Sequence, residues 1–151
     1  MSLLTYLKNA FSSVASVVTD IVSDERNLRT VFVYGSLRKG FGNSGLLRDA
    51  TFLGVDYLEG FNMVSCGGFP AIYPVTDGGT VYGEVYEVND ETFKRLDSLE
   101  GVPYHYQRAK VRTVFGKIPA WVYVQRDGKN RPPVDSGDWA DAAPRNRWAP
   151  C

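Results

Sequence analysis

Histidine and cysteine are nearly missing from this chain of 151 residues: His105 stands alone, and the cysteines are Cys66 and Cys151. Three such side chains cannot assemble a Cys/His zinc site of ordinary ligand count. So few cysteines suit reduced thiols in a cytosolic protein, so a cytoplasmic location is expected. An excess of charge of one sign is missing too. Seventeen Lys and Arg offset seventeen Asp and Glu, which leaves no basic surplus for a nucleic-acid backbone. No run reaches the roughly 18–20 apolar residues of a membrane span. Residues 1–28 do not read as a signal peptide, because Lys8 and Asn9 interrupt them and no small-residue cleavage site follows.

What is present is enough apolar residue, 44%, to build a core, and the length suits one domain. Residues 1–28 read as an appendage to it. Leu3, Leu4, Leu7, Phe11, Val14, Val18, Ile21 and Val22 recur at helical spacing, with serines and aspartates mostly between them. An amphipathic helix and a polar link are expected there. Such a helix docks on its own body, pairs with another copy or lies on a membrane. One lysine is little charge for anionic lipid, so docking or self-association is preferred. The body, residues 29–151, ends in a Gly-, Pro- and Asp-rich tail from about residue 126, which Trp139 and Trp148 would pin in place.

The body is organised around Thr30–Gly40. Val31, Phe32, Val33 and Tyr34 form a short apolar run with the composition of a buried strand. Gly35 ends it, and the loop Gly35–Leu37 can bring main-chain N–H groups close to a ligand. An ordinary strand with a glycine-rich turn is the plain alternative. Thr51–Asp56 and Tyr57–Val64 read as one bent strand or a tight pair. Phe69–Tyr73 is extended, since Pro70 and Pro74 forbid a helix. Thr80–Val88 alternates, and Gly83 marks a bulge or a close neighbouring backbone. Tyr106–Phe115 and Ile118–Gln125 read as the last strands.

One helix is expected in the body, capped by Asn89 or Asp90 and stopped by Gly101 and Pro103. Phe93, Leu96 and Leu99 form its apolar stripe. Glu100 falls at i+7 from Phe93 and i+4 from Leu96, so it points with that stripe. Desolvation and the negative end of the helix both favour its protonated form. A glutamate shifted toward neutral pH can take and return a proton. The alternative is a solvated Glu100 paired with Arg95 or Arg108. Glu84 is either on the outer face or a buried support. Arg38 and Lys39 read as a solvated loop tip, and Cys66 as a free thiol in a turn. Gly35–Gly40 lacks the Gly-Lys-Ser/Thr ending of a phosphate loop, and Ser36 lacks a nucleophile-elbow setting. Many strands around one helix imply an α+β fold with a mostly antiparallel, barrel-like sheet and a pocket at its mouth.

Several of these segments, taken together, resemble a known family. Tyr34-Gly-Ser-Leu-Arg-Lys-Gly40 with Asn43 and Leu46-Leu47 is similar to the opening motif of the γ-glutamylcyclotransferase-like family, in its AIG2-like and γ-glutamylamine cyclotransferase branch. Gly83–Val88, Leu96-Asp-Ser-Leu-Glu-Gly101 with Tyr106-Gln-Arg108, Ala120–Tyr123 and Ser136-Gly-Asp-Trp139 resemble later family segments in the same order. The resemblance implies a small barrel-like α+β fold, Glu100 as catalytic proton shuttle, and Tyr34, Gly35, Ser36 and Leu37 around a γ-glutamyl group. Tyr106 matches a family tyrosine near the pocket. It implies release of 5-oxoproline and an amine or amino acid from a small γ-glutamyl compound, with no metal or cofactor. A binding or assembly protein on the same fold, using residues 1–28 for a partner, is the second expectation.

Overall fold

A computed structural model describes residues 27–126, 128 and 130–144; the expected N-terminal helix and Trp148 lie outside the described residues. Among the described residues, seven strands and one α-helix follow in order: β1 (Arg29–Val33), β2 (Thr51–Glu59), β3 (Phe61–Ser65), β4 (Pro70–Pro74), β5 (Thr80–Val88), α1 (Asp90–Glu100), β6 (Gln107–Arg112) and β7 (Pro119–Val124). Short 3-10 turns occur at Ser44–Leu47 and Trp139–Asp141. The main sheet has the order β2-β5-β1-β7-β6, and β3 pairs with β4 beside it. The β1–β7 pair is parallel and the other described pairs are antiparallel. This is the mixed, mostly antiparallel α+β architecture expected.

The apolar run of β1 is continuous because both of its faces are covered. Val31 and Val33 pack with Tyr86, Val88 and the helix residues Phe93 and Leu96. Phe32 faces the other way, into a cluster with Leu58, Ile72, Val85, Val122 and Trp139. Period-2 alternation thus feeds two cores rather than one core and solvent. Gly83 marks a close approach rather than a bulge. A Cβ there would lie 2.4 Å from the Phe32 ring and 2.5 Å from the Val33 carbonyl oxygen.

The two edges of the main sheet meet through a side chain. Asp56 on β2 accepts the N–H groups of Phe115 and Gly116, both at 2.9 Å, and of Tyr57 at 2.7 Å. Val114 N–H also donates to the Tyr57 carbonyl at 2.9 Å. The turn after β6 is thereby tied to β2, which curls the sheet toward a barrel. Burial alone would raise the Asp56 pKa; the N–H donors outweigh it and hold the carboxyl below its ordinary value. The same turn explains why β6 stops at Arg112, short of the expected Phe115. Thr113 turns back to accept Ile118 N–H at 2.9 Å, and Val114 bonds to β2.

Some expectations need correcting. β2 runs unbroken through Asp56 and Tyr57. The chain instead bends at Gly60, whose N–H bonds to the Gly79 carbonyl at 3.0 Å, and continues into the second sheet as β3. Leu99 is 42% exposed and not part of the buried helix stripe. At 3.6 residues per turn it lies about 120° around the helix from Phe93, whereas Glu100 lies only about 20° away. Arg38 is 8% exposed, not a solvated loop tip. It pairs with Asp138 at 2.7 Å and lies over the Tyr82 ring at 4.7 Å. Trp139, next to that aspartate, is buried, so this part of the tail is held as expected.

Candidate active site

A cavity of about 410 Å³ opens where the end of β1, the start of β4, the end of α1 and the chain after β7 converge. Each of the six residues singled out from sequence lines it: Tyr34, Gly35, Ser36, Leu37, Glu100 and Tyr106. The structure therefore brings the first loop and the last residue of the helix into one hollow.

The loop is shaped by its own carbonyls. Arg38 N–H closes on Gly35 O at 3.0 Å, and Asn43 N–H on Ser36 O at 2.9 Å. The Asn43 amide also donates to the Ser36 hydroxyl at 2.9 Å. The N–H groups of Gly35, Ser36 and Leu37 are left with no protein acceptor among the described residues. Glu84 is the buried support, not an outer-face residue: its carboxylate accepts Lys39 N–H at 2.6 Å. A side chain at Gly35 would meet Pro70, whose ring atoms lie 2.8 and 2.9 Å from the position of a Cβ. That close approach packs the loop directly against the start of β4.

Helix α1 delivers Glu100 to this loop. The Asn89 side chain accepts Thr92 N–H at 2.8 Å, satisfying one free donor at the helix start. Gly101 closes the helix in the left-handed region at φ 63°, where a side chain is disfavoured. The two arginines that could have neutralised Glu100 are engaged elsewhere. Arg95 pairs with Glu91 at 2.5 Å, and Arg108 with Asp97 at 3.5 Å. Among the described residues the Glu100 carboxylate has no ion-pair partner, and burial pushes its pKa up to about 7.

The three cavity tyrosines have committed their hydroxyls to protein acceptors. Tyr34 donates to the Tyr123 carbonyl at 2.6 Å, Tyr106 to the Pro70 carbonyl at 2.8 Å, and Tyr123 to the Asp97 carboxylate at 2.8 Å. Burial pushes all three above the ordinary tyrosine range, and the nearby Glu100 charge adds to this. They stay protonated at neutral pH and act as fixed walls. Glu100 is then the carboxyl group in the lining, poised to change charge near pH 7.

Other lining residues were not picked out from sequence: Phe69, Pro70, Leu99, Tyr123, Gln125 and Arg131 among them. Pro70 and Tyr123 sit on strands, where alternation could have flagged them. Arg131 lies in the tail and carries no local signal. Cys66 is half-buried next to this region, with Arg131 Nη1 against its sulfur.

Comparison with known proteins identifies the family. Residues 31–141 match the model of the family described as gamma-glutamyl cyclotransferase, AIG2-like. The gamma-glutamylcyclotransferase family protein YtfP of Escherichia coli K12 is 38% identical over 112 residues, covering 74% of this chain and 96% of that protein. A crystal structure of an AIG2-like protein from Mus musculus superposes with a TM-score of 0.68 at 26% identity, covering 83% of this chain and 99% of that one. A protein from Pyrococcus horikoshii superposes with a TM-score of 0.66 at 31% identity, covering 76% and 92%. With the family model spanning the first loop, the helix and the tail contact, the chain belongs to the AIG2-like gamma-glutamyl cyclotransferase family.

Proposed function

We propose that this protein is a γ-glutamyl cyclotransferase that releases 5-oxoproline and a free amine or amino acid from a small γ-glutamyl compound. The observation that carries this reading is the burial of an unpartnered Glu100 in the same cavity as the free N–H groups of Gly35–Leu37. An acid–base group near pKa 7 that shares a cavity with free N–H donors suits amide chemistry that needs one proton carrier and one oxyanion site.

The reaction uses both. The Glu100 carboxylate takes a proton from the substrate's α-ammonium group. The freed amine attacks the γ-carbonyl carbon of the same molecule, so ring closure loses little entropy. The carbonyl oxygen gathers negative charge, and N–H groups of the Gly35–Leu37 loop donate to it. Collapse breaks the original amide C–N bond. Glu100 returns its proton to the departing nitrogen, and the attacking nitrogen's surplus proton follows, so the amine leaves as an ammonium ion. The bond made is the lactam C–N bond, no water is consumed, and Glu100 ends as it began. Tyr34 and Tyr106 shape the wall around the glutamyl chain.

The test is 5-oxoproline release from a panel of γ-glutamyl amides by wild type and Glu100→Gln. Wild type forms 5-oxoproline; the folded variant forms about 10³-fold less. Equal turnover by the variant would remove Glu100 from its role. Binding without product by wild type would favour the second reading, a binding protein on this fold.

A further inference from the structure

The cavity adjoins a second, open groove of about 550 Å³. The two share His105, Gln125 and Arg131, but neither Glu100 nor the Gly35–Leu37 loop lines the groove. A molecule with its glutamyl end at the loop has room to extend its other end toward the groove. The groove is basic. Arg126 and Arg131 both line it, and no Asp or Glu does among the described residues. Each arginine is held in place. The Gln107 amide oxygen, in the orientation that satisfies both partners, accepts from Arg126 Nε and Nη2 at 3.1 and 3.0 Å. Arg131 rests against the Cys66 sulfur. Where cavity meets solvent, the rim is apolar: Phe69 is 46% exposed and Leu99 42%, and both line the cavity.

An anion and an apolar group are thus called for on the same half of the ligand. We infer that the leaving amine is an amino acid with an apolar side chain: its carboxylate docks on Arg131 with Arg126 nearby, and its side chain lies against Phe69 and Leu99. This rests on the cyclotransferase reading of the cavity, and it selects γ-glutamyl dipeptides over γ-glutamyl derivatives of simple amines or diamines. An arginine can grip a carboxylate with two parallel N–H donors, which gives orientation as well as attraction. A diamine's second ammonium would meet two like charges instead. Arg131 is a specificity residue on this account: it holds the carboxylate on the carbon that bears the leaving nitrogen and carries no proton in the reaction.

The test compares γ-glutamyl-leucine with γ-glutamyl-isoamylamine, which differ only by the leaving group's carboxylate. Wild type is expected to favour the dipeptide at least tenfold in kcat/KM. Arg131→Gln brings that ratio to about one, and Arg126→Gln lowers it by a smaller factor. Leu99→Ser lowers kcat/KM for γ-glutamyl-leucine more than for γ-glutamyl-glycine. A wild-type ratio near one overturns the proposal. So does an Arg131→Gln variant that slows both substrates equally, since the arginine would then hold the glutamyl α-carboxylate. Calorimetric affinities of the same pair for wild type and Glu100→Gln are read alongside. If no substrate is turned over yet the dipeptide binds at least tenfold tighter through Arg131, the groove stands and the cyclotransferase reading falls. If neither preference is seen, the groove falls by itself.

Discussion

Asp56, Glu84 and Glu100 all sit in protected surroundings, and they are treated in opposite ways. Asp56 and Glu84 point at backbone N–H groups: three for Asp56, and that of Lys39 for Glu84. Glu100 lines a cavity, and Arg95 and Arg108, the partners that sequence offered it, are paired with other acids. The first kind of site uses the carboxylate as a clamp on the backbone, and at Asp56 the donors also stabilise its charged form. The second withholds partners and leaves the proton mobile. Burial alone does not make a carboxylate reactive; burial without donors does.

The largest effect should come from removing the unpartnered acid. Glu100→Gln is expected to abolish about 10³-fold of turnover while making the fold more stable at pH 8. Its pKa is raised from 4.5 to about 7, so the ionised form costs the folded state on the order of 3 kcal/mol at alkaline pH. That cost fades as pH falls from about 7 to about 4.5, and below that value folded and unfolded chains are both protonated. Urea unfolding of both proteins at pH 8 and pH 4.5 reads it directly. A variant less stable at pH 8 would contradict the unpartnered state of Glu100.

Titration is the next handle. Since the base must be ionised, kcat/KM should fall about tenfold per unit below an apparent pKa near 7. Asp56 should have the opposite sign in stability. Its pKa is lowered in the fold, so its contribution is present above the unfolded carboxyl pKa of about 4 and is lost as pH falls through the folded value. Asp56→Ala should cost about 2 kcal/mol in urea unfolding at pH 7, because three N–H groups lose a charged acceptor. The smallest effect is Glu84→Gln. An amide oxygen can still accept Lys39 N–H, so a loss of under about 1 kcal/mol is expected. A drop matching that of Asp56→Ala would show that the charge, not the acceptor, holds the loop.

The parts of this design that were legible in the sequence are those set by local geometry. Helical spacing aimed Glu100 at the buried side, and the apolar run before Gly35 marked a strand with a loop behind it. The same spacing, read with the true helical angle, would have excluded Leu99 from the stripe. Arg38 was misread because its partner, Asp138, is 100 residues away and nothing near Arg38 announces it. Glu84 was left open because alternation cannot tell a covered outer face from a solvated one. The bend at Gly60 was misplaced because β2 changes company there, from one sheet to another, and pairing partners are not written in a strand's own composition. Arg131 and Arg126 carry no pattern at all; only the path of the tail brings them to the groove.

The pairing of Arg38 with Asp138 has a consequence for how the molecule comes into being. A ribosome delivers the first loop 100 residues before the aspartate that locks it. Until residue 138 emerges, the loop has its turns but not this anchor, so a nascent chain halted before that point would carry every residue proposed for chemistry with Arg38 still unpaired.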